Sequence, residues 1–377
     1  AADSAADVAA QMDSHWEREL GSVDGVAETQ TLPASVDVII IGAGLTGVSL
    51  AYHLARCAPT QTVAVLEARG IGRGASGRNG GIVWPDASEE FEVRNTVSMR
   101  AALAEHGIDA EWAQRGGISV VAASAANDDS EDALIDGVCA IDPVAELGAA
   151  PSAFRAAYRD DLPAAVSGAK LVCGLARATL AIAAASSGGS VTFVAPCRVE
   201  NIDASASGVR VTTNLGETKC GRIVVATNGW IPRILRSLRP HFRAAANTVL
   251  VSSVVPPALR WPCAVLSCGD GASEVYASTT RDGRIVIGGL RDSGPGTRGH
   301  SGGSGGGDGG DGGQGGGGGG GGGAWAFAGY DRAPHDRKIA NDLEQWLARC
   351  FPTLAAAITF DRALAWRGIL GFPRVRF

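Results

Sequence analysis

Apolar residues follow two rhythms along the chain. The first clear run is 38–41, four β-branched residues with no polar break. Such a run predicts a central parallel strand covered on both faces. Glycines then space the chain as Gly42-Ala-Gly44-Leu45-Thr46-Gly47, a helical stretch continues to about Arg56, and 62–66 predicts a second strand running into Glu67. Downstream, 118–122 is a short apolar run and 171–185 predicts a helix rich in Ala and Leu. Segments 191–194, 209–213 and 223–226 predict strands joined by short turns. Alternation over 249–255 and 285–289 predicts strands of an antiparallel sheet. Residues 336–349 predict an amphipathic helix with Ile339, Leu343, Trp346 and Leu347 on one face.

Strand, glycine turn, helix, strand and terminal acid together form a design for holding a dinucleotide. Gly42 permits the sharp turn off the first strand. Gly44 lets the backbone approach a pyrophosphate, and Gly47 lets the helix pack closely on the sheet. The helix points its N-terminal amides, from Leu45 and Thr46 onward, at the phosphates. Glu67 lies about twenty residues beyond Gly47, where a carboxylate accepts hydrogen bonds from ribose hydroxyls. Arg69 suggests a 2′-phosphate contact, but Glu67 would repel that phosphate, so NADP is set aside.

The glycine triplet alone leaves NAD and FAD open. A second glycine-dense loop follows: Gly70-Ile-Gly-Arg73-Gly74-Ala75-Ser76-Gly77-Arg78-Asn79-Gly80-Gly81. It offers backbone amides, two cations and two small polar side chains that suit a pyrophosphate and a ring system. Composition alone equally allows a flexible surface loop.

Glu67 followed by Gly-Ala-Ser-Gly-Arg-Asn-Gly-Gly resembles the FAD-dependent amine and D-amino-acid oxidase (DAO) family, nearest its γ-glutamylputrescine oxidase-like branch. Further segments are similar in the family's order: His15-Trp16-Glu17, Arg198-Val199-Glu200, the strand and turn 224–230, the hairpin 282–289, and 366–372. The resemblance implies an α/β fold with an FAD-binding, Rossmann-like domain of the DAO type. A second, antiparallel-sheet α+β domain would hold the substrate. The division it implies is an N-terminal arm 1–34, a discontinuous FAD-binding domain (35–100, 166–235 and 355–377), and a substrate domain (101–165 and 236–354).

The resemblance also implies roles. FAD would be held by Gly42, Gly44, Leu45, Thr46, Gly47, Glu67, Ala68, Arg69, Gly74, Ala75, Ser76, Arg78, Asn79, Gly80 and Gly81. Val199 would meet adenine through its backbone, and Thr227, Asn228, Gly229 and Trp230 would form a second FAD motif. Tyr276 and Arg291 flank the hairpin expected to face the flavin; Tyr276 would close over the substrate amine and Arg291 would clamp a carboxylate. Trp230 and Trp366 are read either as walls of the ring site or as core. The implied reaction oxidises the C–N bond of an amine or amino acid by hydride transfer to flavin. Water then hydrolyses the imine, and dioxygen is the expected acceptor. A flavin-dependent hydroxylase and an inactive, truncated family member are the alternatives. The second arises because the family pattern, after 366–372, continues into a further turn, strand, loop and helix, whereas this sequence reads Pro373-Arg-Val-Arg-Phe377.

Length and composition narrow the picture further. The 377 residues exceed one ordinary domain. A net charge of −6 gives no electrostatic case for nucleic acid or an anionic membrane. The eight cysteines are scattered without a CxxC pair and the six histidines are dispersed, so no metal site is expected. No run of about 18 apolar residues is apparent, so no membrane span is expected. The N-terminal segment, beginning with Ala1, lacks the pattern of a secretory signal, and a cytoplasmic location is expected, with an organelle as the alternative. Glycine fills all but five positions of 301–323, which is expected to be a disordered insertion that buries no core.

Overall fold

The computed structural model describes residues 13–20, 26–86, 88–124, 138–205, 208–269, 274–290 and 334–373. The glycine-rich insertion 301–323, Arg291 and most of the N-terminal arm lie outside the described residues.

In chain order the strands are β1 (Ser35–Ile41), β2 (Thr62–Leu66), β3 (Ile82–Val83), β4 (Gly117–Ala122), β5 (Val138–Ala140) and β6 (Phe154–Asp160). There follow β7 (Ala164–Ala165), β8 (Ser190–Val194), β9 (Val199–Ser205), β10 (Gly208–Thr213) and β11 (Gly216–Val225). The last are β12 (Phe242–Val251), β13 (Val265–Gly269), β14 (Glu274–Thr279), β15 (Ile285–Gly289) and β16 (Trp366–Pro373).

One sheet has the order β8-β2-β1-β11-β10-β9. Its strands β8, β2, β1 and β11 are parallel, with β10 and β9 added antiparallel at one edge. Ile39, Ile40, Val65 and Leu66 are essentially inaccessible to solvent, which is why 38–41 and 62–66 carry no polar break. The helices Leu45–Cys57 and Gly168–Ala185 pack on one face of this sheet and on each other. By length and composition the second of them is apolar enough to cross a membrane, contrary to the reading of the sequence. Its apolar surface is explained by burial: from Gly168 to Ala176 all residues but Lys170 are buried in the fold.

The larger sheet has the order β16-β12-β15-β14-β13-β4-β6-β5 and is mostly antiparallel; β13 and β4 run parallel. Its side chains alternate with period two. Leu250, Val275, Ala277, Ile285 and Ile287 join the core beneath the helix Pro334–Cys350, through Ile339, Leu343, Trp346 and Leu347. Val249, Val251, Val286 and Trp366 face the opposite way, toward Trp16 and Ala169. That second face meets the glycine-rich loop. Strand β12 begins earlier than its valines announce, because residues 242–248 pair along β16. It ends at Val251, after which Ser252 bridges to Phe360 instead. β16 therefore pairs within the larger sheet while also touching the turn after β11, through Gly371 N–H donating to Asn228 Oδ1 at 2.8 Å.

Candidate functional site

The parallel strands β1, β2 and β11 deliver their C-terminal ends to one crevice. Gly42 takes φ +101°, and a Cβ there would stand 2.7 Å from the Ala226 carbonyl oxygen. Gly47 is tighter still, since its Cβ would fall 1.9 Å from the Gly42 carbonyl oxygen. Gly44 begins the helix, and a Cβ there would meet Ser76 Oγ at 3.0 Å. Leu45 and Thr46, at the helix start, are exposed, and Leu45 N–H donates to Ser76 Oγ at 2.8 Å. The amide end of the helix and the second loop thus share one small space.

Glu67 lies directly after β2 and accepts from the Ala43 and Arg69 amides, each at 2.9 Å. Desolvation raises its pKa above the ordinary carboxylate value, against those two hydrogen bonds and the Arg69 charge. Ala68 beside it is exposed. The Cys197 amide donates to the Glu67 carbonyl at 2.6 Å, which brings the start of β9 alongside. There Val199 pairs with Thr213. After β11, Thr227–Trp230 turns over with Asn228 at φ 48°, and Thr227 Oγ1 is buried with no hydrogen-bond partner. Gly229 packs against β16, where a Cβ would stand 2.8 Å from Ile369.

The loop 74–81 rises between the two sheets. Gly74 is open around its Cβ position, and Ala75 and Ser76 are half-buried. Arg78 is almost fully enclosed and pairs with Glu17 at 3.0 Å. Trp366 Nε1 donates to the Arg78 carbonyl at 3.1 Å, and Ser278 Oγ donates to the Gly80 carbonyl. Trp366 is core, exposed by only 3%. Trp230 stands beside the Arg233 guanidinium, 5.9 Å from ring centroid to Cζ.

A cavity of about 360 Å³ opens where this loop meets the larger sheet. Ala75, Asn79 and Gly80 line it from the loop, and Asn247, Tyr276, Gly368 and Leu370 from the sheet. Tyr276 lies across the strands because two glycines leave it room. A Cβ on Gly80 would strike its ring at 2.4 Å, and one on Gly288 its hydroxyl at 2.5 Å. Its hydroxyl accepts from Asn247 Nδ2. Burial pushes the phenol up to about 12, against the pull of that hydrogen bond. Asn247 is buried, and its Oδ1 has no hydrogen-bond partner.

Sequence reasoning singled out Tyr276 but not Asn247, Trp84, Ser267 or Glu274, which also line the cavity. Nothing in the run Ala244-Ala-Ala-Asn247-Thr marks the asparagine; only the partner strands give it a role. No cluster of metal-ligating side chains occurs among the described residues.

A carboxylate after β2, glycines where a Cβ would collide, an amide-bearing helix start and an unpartnered Thr227 hydroxyl all fit a dinucleotide. The fold and crevice thus define a dinucleotide-binding protein. The description FAD dependent oxidoreductase (DAO) matches residues 37–376, and the chain belongs to that family, whose cofactor is FAD. It is 26% identical over 287 residues to the probable oxidoreductase OrdL of Rhizobium meliloti (strain 1021), covering 67% of this chain and 63% of that protein. Over 74 residues it is 45% identical to gamma-glutamylputrescine oxidoreductase of Escherichia coli (strain K12), 19% of this chain and 17% of that protein. The matches thus span less than two thirds of these relatives' own length. Glycine oxidase from Geobacillus kaustophilus shares the fold with a TM-score of 0.66 at 18% identity, over 91% of this chain and 84% of that one.

Proposed function

We propose that this protein oxidises the C–N bond of a small amine or amino acid, with dioxygen as acceptor, in a branch near gamma-glutamylputrescine oxidoreductase. The observation that carries the reading is the cavity itself, walled on one side by Asn79 and Gly80 and on the other by Asn247 and Tyr276. FAD, when bound, supplies the electron chemistry by accepting a hydride from the carbon that bears nitrogen. The chain supplies position. Gly42, Gly44, Leu45, Thr46 and Gly47 hold the pyrophosphate, joined by Ser76 and the glycines of the loop. Glu67, with Ala68 and Arg69, holds the ribose, and Val199 borders the adenine. Thr227–Trp230 and Arg78–Gly81 border the remainder of the cofactor.

Tyr276 and Asn247 orient the substrate, the phenol staying protonated at neutral pH and so offering a hydroxyl rather than a charge. The Asn247 amide, with one atom unsatisfied, is suited to an amine N–H. Loop and sheet together fix the substrate's orientation between these two contacts. The test is anaerobic titration of FAD-loaded protein with γ-glutamylputrescine, sarcosine and D-amino acids, following the flavin band near about 450 nm. Bleaching by an amine supports the reading; protein that takes up FAD and is bleached by none of them contradicts it.

A further inference from the structure

We propose that the turn Ser14–Glu17 is a clasp that sets the pose of loop 74–81 against the flavin, with Glu17 acting on the cofactor through Arg78 as a positioning residue. The proposal rests on the reading of that loop as a flavin wall. Three of its four residues carry it. Ser14 caps the short helix His15–Arg18 by a reciprocal pair of bonds with Glu17, 3.0 Å and 2.7 Å. The same Ser14 hydroxyl donates to the Gly77 carbonyl at 2.5 Å. Trp16 Nε1 donates to the Asn79 carbonyl at 2.9 Å, and its ring fills the space beside Gly81, where a Cβ would stand 2.6 Å away. Glu17 Oε2 holds Arg78 Nη2 at 3.0 Å, the two side chains exposed by only 1% and 5%. The clasp therefore grips residues 77, 78, 79 and 81 from some sixty positions earlier in sequence.

Two arguments give these contacts a purpose beyond packing. A loop with glycines at 74, 77, 80 and 81 has more backbone freedom to lose than an ordinary loop, so its pose needs contacts from outside it. A buried ion pair, moreover, is seldom the most stabilising filling for its space. What it supplies is direction: the Arg78 fork is held at the wall of the cavity it helps to line.

The experiment uses the full chain stripped of FAD and retitrated with FAD, read by quenching of flavin fluorescence and by visible circular dichroism at saturation. Glu17→Gln is expected to weaken FAD binding about tenfold, and Ser14→Ala about threefold. Both should alter the dichroism of the bound flavin, because the loop against it has moved. Glu17→Gln added to Arg78→Gln should cost little more than Arg78→Gln alone. Unchanged FAD affinity and unchanged dichroism in Glu17→Gln would overturn the proposal. So would a lowered melting temperature with unaltered dichroism at saturation, the mark of a merely structural contact. Should Glu17→Gln not fold, Ser14→Ala, which removes one hydroxyl, decides on the same readouts. If the wild-type chain takes up no FAD, the functional reading fails. Amide exchange at 77–81 then tests the clasp, and equal exchange in wild type and Ser14→Ala overturns it.

Discussion

The turn after β1 and the floor of the cavity are built on opposite plans. In the first, Gly42, Gly44, Gly47 and Glu67 lie within one strand–helix–strand unit, the glycines acting through backbone shape and Glu67 through a carboxylate at fixed spacing. In the second, Gly80, Asn247, Tyr276, Gly288 and Gly368 come from four strands and a loop, and meet only when the larger sheet has assembled on the first. A site made of backbone geometry at fixed spacing can be read along the chain. A site made by register across strands cannot.

The sharpest way to break the first region is Gly47→Ala. Its new methyl would overlap a carbonyl oxygen that cannot move without opening the turn, at a cost of about 3 kcal/mol. Chemical denaturation should show the loss, together with failure to retain FAD. Breaking the second region needs a smaller step. Gly288→Ala drives the Tyr276 hydroxyl away from Asn247 and should cost about 1–3 kcal/mol. Asn247→Leu should slow amine-dependent bleaching by about tenfold while FAD affinity holds within about twofold. If instead FAD affinity collapses, the asparagine serves the cofactor and the two regions are less separate than their construction suggests.

Glu67 sharpens the comparison through pH. Its folded pKa is raised, so its contribution to stability of the FAD-free chain is complete below the ordinary carboxylate range. It is lost as pH rises through the folded pKa, because the unfolded chain ionises in water and the folded one against desolvation. Glu67→Gln, which cannot ionise, should therefore lose less stability than wild type in thermal melts as pH rises above the ordinary carboxylate range, while binding FAD more weakly. The smallest effect belongs to Arg281, whose two-pronged contact with Asp109 (2.6 and 2.7 Å) lies more than half exposed on both sides. Arg281→Ala should change stability by about 0.5 kcal/mol or less, and less again in high salt.

How much could be read in advance follows the same division. The runs 38–41 and 62–66 lie where their apolar pattern placed them, because burial on both faces admits few other residue types. The helix from Leu45 and the strand ending at Val225 are also in place, although Leu45 and Val224 are exposed. Strand β12 was only half legible, since its first residues pair with β16 irrespective of side chain. Tyr276 was noticed from its place beside a hairpin, but not the two glycines that clear its path or the asparagine that holds it. The helix Gly168–Ala185 shows the opposite failing: Lys170 and Arg177 interrupt its apolar sequence, yet most of its surface is core.

The confinement of Tyr276 between Gly80 and Gly288 has a kinetic meaning. A ring fenced on two sides and tied at its tip is a fixed post. Its rotational freedom is surrendered when the chain folds, so an arriving molecule forfeits none of that entropy on docking against it. Entry and exit rates should then be governed by the solute's own shedding of water, leaving the phenol to act as a ruler of what fits.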